Sequence, residues 1–214
     1  IVYHSDRSLV SEDLYDFHIP IGSLARIFRT SVESFPDTSN GFLRHDEVRT
    51  HQLRQQLLKG EEKTLIGISW KTASSVLNSI DRNIALSELA QIFDPTKTQL
   101  VCLQYGEVSE ELDLLKKQFG INVVQVSEID NRTDIDGLAS LIMACDRIVS
   151  TTNATVHLAG ALGADVKVLL PFSTRWFWGR HQSHSLWYNS VTSYRQNMPG
   201  NWTNVLDLLL KNEN

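Results

Sequence analysis

The chain is poor in cysteine, with two residues, Cys102 and Cys145, in a sequence of 214. Two cysteines cannot build a disulfide scaffold, and neither lies in a CxxC pair. Each sits in or beside an apolar run, so both read as small core residues in a reducing compartment. Long hydrophobic runs are also missing. No stretch approaches the ~18 apolar residues of a membrane-crossing helix, and no signal-peptide pattern is visible. These absences predict a cytoplasmic protein without a membrane span. Basic excess is missing too: 20 Lys and Arg stand against 25 Asp and Glu, a net charge of −5. A broad nucleic-acid surface is therefore not expected, although a local basic pocket remains open. The nucleotide fingerprints are absent, with no GxGxxG after the first strand and no GxxxxGK[ST], which disfavours dinucleotide binding and P-loop phosphoryl transfer. His181 and His184 form an HxxH pair with no acidic or cysteine neighbour, so no metal site is expected.

What is present alternates. Residues 1–60 are irregular, punctuated by Pro20, Gly22, Pro36 and Gly41, with a polar helical segment from about Asp46 to Leu58. They read as a remnant of, or connection to, an N-terminal domain, with a boundary at Gly60-Glu61-Glu62-Lys63. From 61 to 214 short apolar runs alternate with helical spacing. The runs are Leu65 to Trp70, Leu100 to Leu103, Val123 to Val126, Arg147 to Val149 and Val166 to Leu170. Ser109 and Asp134 are expected as helix N-caps, with Gly120 and Gly163 as terminators. The tail carries an aromatic cluster (Trp176, Phe177, Trp178, Trp187, Tyr188) and a last helix with Trp202, Leu206 and Leu209 on one face. Uninterrupted apolar strands separated by helices predict an α/β fold, a Rossmann-like parallel sheet with helices on both faces.

One segment concentrates the chemistry, from Ser150-Thr151-Thr152-Asn153-Ala154 through His157 to Gly163. Hydroxyls and an Asn stand at the carboxyl end of a strand where a helix of small residues begins. Free amides and the helix dipole make such a place an anion site, and a diphosphate is the expected ligand. The same residues also serve as simple helix caps. Trp70, Lys71 and Arg82 lie on the first strand–helix loop, where each cation either reaches a phosphate or stays solvated. Gln104, Glu110 and Glu111 follow the second strand. An acid there accepts from ribose hydroxyls or merely complements a helix N-terminus. His157, one turn into its helix, either packs or touches ligand.

These residues resemble a known pattern. His157-Leu158-Ala159-Gly160-Ala161-Leu162-Gly163, Val168-Leu169-Leu170-Pro171, Arg175-Trp176-Phe177-Trp178 and Trp187-Tyr188 look like the C-terminal half of a GT-B glycosyltransferase of the heptosyltransferase-like group. The branch is one fused to tetratricopeptide repeats in bacteria. Ile68-Ser69-Trp70, Arg82-Asn83-Ile84, Leu103-Gln104 and Pro20 to Leu24 support it. The resemblance implies a donor-binding domain for a nucleotide-diphosphate sugar, used as substrate with no separate cofactor. Arg82 resembles the residue that binds donor phosphates, Thr152 to His157 the turn around the diphosphate and sugar, and Glu110 or Glu111 the ribose acid. The family's Asp-Thr pair is replaced here by Thr152-Asn153. The chain opens without Met and has one sheet pattern where a GT-B enzyme has two. The acceptor, a glycan or protein, and the general base are therefore expected on a missing N-terminal domain, with apolar surface left before Gly60 and on the last helix. The catalytic residues are unknown. A degenerate, non-catalytic binding module and a sugar-nucleotide epimerase are the competing readings.

Overall fold

The computed structural model describes residues 16–72, 82–180 and 183–213. The chain divides into two compact units, Ile1–Pro36 and Asp37–Asn214. In the first, a 3-10 turn at Ile21–Ser23, the helix α1 (Ala25–Phe28) and a second 3-10 turn at Val32–Ser34 follow one another. The Ser34 hydroxyl donates to the Ser31 carbonyl at 2.6 Å, and the Arg29 guanidinium lies 5.7 Å from the Phe35 ring centre. Phe17, Ile21, Ile27 and Phe28 are exposed.

The second unit is built on six strands: β1 (Thr64–Ser69), β2 (Thr98–Cys102), β3 (Val123–Val124), β4 (Arg147–Thr151), β5 (Val166–Leu170) and β6 (Val191–Arg195). Their order is β3-β2-β1-β4-β5-β6, and every pair is parallel. This is the doubly wound, Rossmann-like arrangement. The winding reverses between β1 and β4, where Ser69 stands beside Ser150.

Side chains alternate across the sheet because successive strand residues point to opposite faces. Leu65, Val101, Ile148 and Val168 pack on α2 (Glu47–Leu58), α5 (Ile135–Ala144) and α6 (Ala154–Leu162). Ile66, Ile68, Val149 and Leu169 pack on α3 (Leu86–Ala90), α4 (Ser109–Phe119) and α7 (Thr203–Glu213). Both faces are thus covered by helices, which is why the central strands β1, β4 and β5 are mostly apolar and buried. The helix ends follow local chemistry. Asp46 caps α2 and Asp134 caps α5, each carboxylate accepting a backbone N–H three residues on. Gly120 and Gly163 close α4 and α6 with φ of 68° and 80°, a conformation that favours glycine.

Four features depart from the sequence reading. Ser109 is not an N-cap: α4 starts on it, and its amide is taken by the Glu107 carboxylate at 3.0 Å. Strand β6 was not expected, because Val191-Thr192-Ser193-Tyr194-Arg195 lacks an apolar run. The compact unit begins at Asp37 rather than at Gly60. The intervening segment is tied down, with Thr38 and Asn189 exchanging hydrogen bonds at 2.8–3.0 Å and the amides of Phe42 and Leu43 both donating to the Ala161 carbonyl. Finally, the last helix does not present its apolar face to solvent. Trp202, Val205 and Leu209 are buried in this unit's own core, and the Trp202 indole donates to the Asn83 carbonyl at 2.8 Å.

The outer side of β6 is covered by its own preceding loop. Ser185 donates its amide to the Val191 carbonyl, Ser193 donates to the Ser183 carbonyl, and His184 bridges Thr192 in antiparallel sense.

Gly160 sits where α6 meets the aromatic cluster. A Cβ there would lie 2.6 Å from the Tyr188 ring. Gly160→Leu is expected to destabilise the chain by roughly 1–3 kcal/mol through overpacking. Urea unfolding measures this, and a midpoint equal to that of the parent chain would show that Tyr188 moves aside without penalty.

Candidate functional site

The carboxyl ends of β1 and β4 form the crevice where ligands of such sheets bind. One side chain organises its floor. Gln104, 2% exposed after β2, accepts three hydrogen bonds on its single carbonyl oxygen: from the Ser69 hydroxyl at 2.9 Å and from the amides of Trp70 and Lys71 at 3.0 Å. The loop leaving β1 is thereby locked to β2. From the other side Asn153 donates to the Ser69 hydroxyl at 2.7 Å and to the Lys71 carbonyl at 3.2 Å. Its carbonyl oxygen accepts from the Thr155 amide at 3.0 Å, which caps α6, and from the Ser150 hydroxyl at 3.2 Å. Asn131 reaches in from the β3–α5 connection and donates to the carbonyls of Cys102 and Gln104.

Above this floor stand the charged groups. Glu111, in the first turn of α4, accepts from the Trp70 indole at 2.6 Å and from the Lys71 ammonium. Arg82 is half-buried and, among the described residues, has no hydrogen-bond or ion-pair partner. The intervening loop residues, including Ser74, Ser75 and Asp81, lie outside the described residues, as does His181 of the HxxH pair. Thr151 is buried, and its hydroxyl has no partner among the described residues. Thr152 is half-buried and Ala154 exposed at the start of α6. The first amides of that helix have no intrahelical acceptor, and Asn153 satisfies the one of Thr155.

The structure therefore gathers Trp70, Lys71, Gln104, Thr151, Thr152, Asn153 and Ala154 at one edge. It gives several of them structural duties. Gln104 and Asn153 spend their polar atoms on the loop, and Trp70 is 1% exposed, so its ring packs in the core. Glu110 is exposed and its carboxylate has no hydrogen-bond or ion-pair partner among the described residues, whereas the neighbouring Glu111 holds Lys71. Ser69 and Asn131 join the network although neither was among the expected site residues; Ser69 lies in the Ile68-Ser69-Trp70 run of the resemblance, whereas nothing in the sequence marked Asn131.

His157 faces the aromatic cluster after β5. Its ring stacks on Trp178 with centres 5.3 Å apart, meets Phe177 edge-on at 5.4 Å, and shares a 3.3 Å contact with the Tyr188 hydroxyl. Burial in this apolar surround lowers its pKa. The two cysteines are free, and burial pushes their thiols up to about 11 for Cys102 and about 12 for Cys145, so neither is a thiolate nucleophile at neutral pH. Among the described residues no three His, Cys, Asp or Glu side chains gather as metal ligands, and no helix is long and apolar enough to cross a membrane. An open cleft of about 720 Å³, lined by Arg54, Lys63, Lys97, Glu61 and Asp146, lies at the opposite, amino edge of the sheet. Four of these charges already pair with one another, Arg54 with Asp146 at 2.7 Å and Lys63 with Glu61 at 2.8 Å. Sheet topology is therefore the better guide to the site than cleft volume.

No protein-family profile matches the chain. Protein FlbA of Caulobacter vibrioides is 29% identical over 202 residues, which are 94% of this chain and 33% of FlbA. The chain thus spans about a third of that relative's length. Among solved structures, the ADP-heptose lps heptosyltransferase II of E. coli superposes with a TM-score of 0.54 at 16% identity, over 80% of this chain and 54% of that one. A glycosyl transferase of family 9 from Veillonella parvula gives 0.53 at 14% identity, over 73% of this chain and 43% of its own. The parallel sheet and its flanking helices are therefore a GT-B-like, Rossmann-like fold shared with two glycosyltransferases.

The environment of His157 sets a pH dependence. Its folded-state pKa lies below the unfolded value, so the unfolded chain binds the proton more readily. The stability it contributes is present above about pH 6.5, the unfolded value, and is lost as pH falls towards the folded one. Unfolding free energy measured by urea at pH 7.5 and at pH 5.5 is expected to drop across this interval, and His157→Phe is expected to reduce the drop. An equal drop in the variant would assign the pH dependence to other groups.

Proposed function

We propose that the chain is the donor-binding part of a glycosyltransferase, holding a nucleotide-diphosphate sugar at the carboxyl edge between β1 and β4. The reading rests above all on one observation: at the point where the sheet reverses its winding, the start of α6 stands opposite a loop carrying Lys71 and Arg82, the latter without a partner among the described residues. Helix amides and two cations suit a diphosphate, and they would stabilise it as a leaving group without a bound cofactor. The ribose acid is then Glu111 rather than Glu110, since Glu111 already lies within reach of Lys71. Glu111 neutralises Lys71, and a bound diphosphate would compete for that ammonium. The likeness of the fold to two glycosyltransferase structures supports this reading. Fusion to tetratricopeptide repeats, an acceptor-binding domain elsewhere in a longer protein and a cytoplasmic location belong to the same proposal.

A non-catalytic binding module is the second reading. It draws on the internal use of Gln104, Asn153 and Lys71, which leaves few polar side chains free for a ligand. Nucleotide binding separates the two. UDP, GDP or ADP is expected to raise the melting temperature of the chain, as any ligand selective for the folded state must. Arg82→Ala is expected to weaken that binding by roughly 1.5–3 kcal/mol, the range of a charge-assisted hydrogen bond. If no nucleoside diphosphate binds the parent chain in calorimetry, the module reading stands.

Glu111→Gln distinguishes the two roles of its carboxylate. With Lys71 released, inorganic pyrophosphate is expected to bind more tightly, whereas a nucleoside diphosphate gains less or loses because the ribose contact weakens. Unchanged affinity for both ligands would place Glu111 outside the site.

A further inference from the structure

The turn after β5 carries a feature that the donor site leaves unused. Trp176 is 69% exposed, the largest side chain of the sheet-bearing unit to stand so far out of the core. It is nevertheless firmly held. The 3-10 turn Trp176–Trp178 is closed by the Trp178 amide on the Arg175 carbonyl and the Gly179 amide on the Trp176 carbonyl, both at 3.1 Å. Arg195, at the end of β6, clamps the Gly179 carbonyl at 2.6 Å. The Trp176 ring stands edge-to-face against Trp187, with centres 6.1 Å apart and planes at 75°, and against Phe177 at 5.8 Å and 80°. Two aromatic walls meeting near a right angle form a corner whose outer ring face is open to solvent. An ordered, exposed aromatic surface of this kind marks a binding site rather than core packing.

Charge narrows the occupant. In a chain of net charge −5, no Asp or Glu occurs between Asp165 and Asp207, while Lys167, Arg175, Arg180 and Arg195 all fall there. Lys167 is paired with Asp165, and Arg195 is spent on backbone carbonyls. Arg175 and Arg180 are exposed and, among the described residues, have no ion-pair or hydrogen-bond partner for their guanidinium groups. The corner is thus flanked by two available cations and no anion from its own segment. A ring with apolar C–H faces and an anionic substituent meets both demands. Its face stacks on Trp176, and its carboxylate or phosphate accepts the planar fork of Arg175.

We propose that the corner made by Trp176 and Trp187, with Arg175 at its rim, is a docking subsite for an anionic carbohydrate, the outer sugar of an acceptor whose reacting end is held by the separate acceptor domain. That this carbohydrate is part of an acceptor rests on the glycosyltransferase reading. The site itself stands on the exposed rings and the acid-free segment. It lies beyond the carboxyl end of β5, on the strand next to β4, so an occupant there neighbours the α6 turn without sharing its groups.

Tetragalacturonate and sialyllactose, with maltotetraose as the neutral control, are titrated against the chain by calorimetry and tryptophan fluorescence. At least one acidic sugar is expected to bind more tightly than maltotetraose. Trp176→Ala is expected to lower that affinity roughly tenfold or more, a loss of about 1.4 kcal/mol or greater. Arg175→Gln is expected to retain the neutral sugar while losing the preference for the acidic one. Because Trp176 is exposed, its removal leaves the fold intact, checked by an unchanged urea midpoint. Nucleoside diphosphate binding, measured on the same Trp176→Ala sample, is expected to be unaffected. No binding of either acidic sugar, or equal affinity with and without Trp176, overturns the subsite even if the nucleotide binds. Loss of nucleotide binding in the parent chain with sugar binding intact overturns the donor reading and leaves the subsite.

Discussion

The carbonyl oxygen of Gln104 carries more of the architecture than any other single atom of the carboxyl edge. Three donors converge on it, two of them backbone amides of the loop that leaves the first strand. A buried amide without an acceptor costs about 1–3 kcal/mol, so replacing this side chain would leave a deficit at the centre of the crevice. Asn153 completes the arrangement by tying the same loop to the start of α6. The two sides of the winding reversal are therefore fixed to one another by side chains rather than by strand pairing alone. Whatever binds there meets a floor that is already in place, which reduces the ordering that association would otherwise require.

The same edge illustrates how polar groups are shared between structure and binding. Gln104 and Asn153 are consumed by the protein, while Lys71 is held by Glu111 and Arg82 has no partner among the described residues. His157, close in sequence to the α6 turn, belongs to a different environment, the aromatic cluster after β5. Two neighbouring regions with different chemistry thus arise from one helix: charged and polar at its start, aromatic one turn further on.

Much of the fold was legible because apolar strands buried on both faces leave a strong trace. Leu65 to Trp70 and Val166 to Leu170 read as strands on composition alone, and Asp134, Gly120 and Gly163 mark helix ends by their local chemistry. β6 escaped because only Val191 and Tyr194 are buried, while polar Thr192, Ser193 and Arg195 are half-buried and leave no apolar run. Ser109 misled because a carboxylate two residues earlier took its amide. The position of the candidate site was legible from hydroxyls and small residues after β4. The division of labour within it was not. The hydrogen bonds that commit Gln104 and Asn153 to the scaffold span 35 and 84 residues, and no local pattern records a partner that far away.

The loop that folds back along β6 has a consequence for how molecules of this chain meet one another. An outermost strand offers a row of backbone groups on which another molecule can build a continuous sheet. Here the carbonyl of Val191 and the amide of Ser193 already belong to Ser185 and Ser183, and the opposite margin ends in a strand of only two residues, Val123 and Val124. The sheet is sealed along one margin by its own chain and is too short along the other to template a neighbour. Concentrated or freshly synthesised chains, once folded, are thereby protected from growing into one another edge to edge.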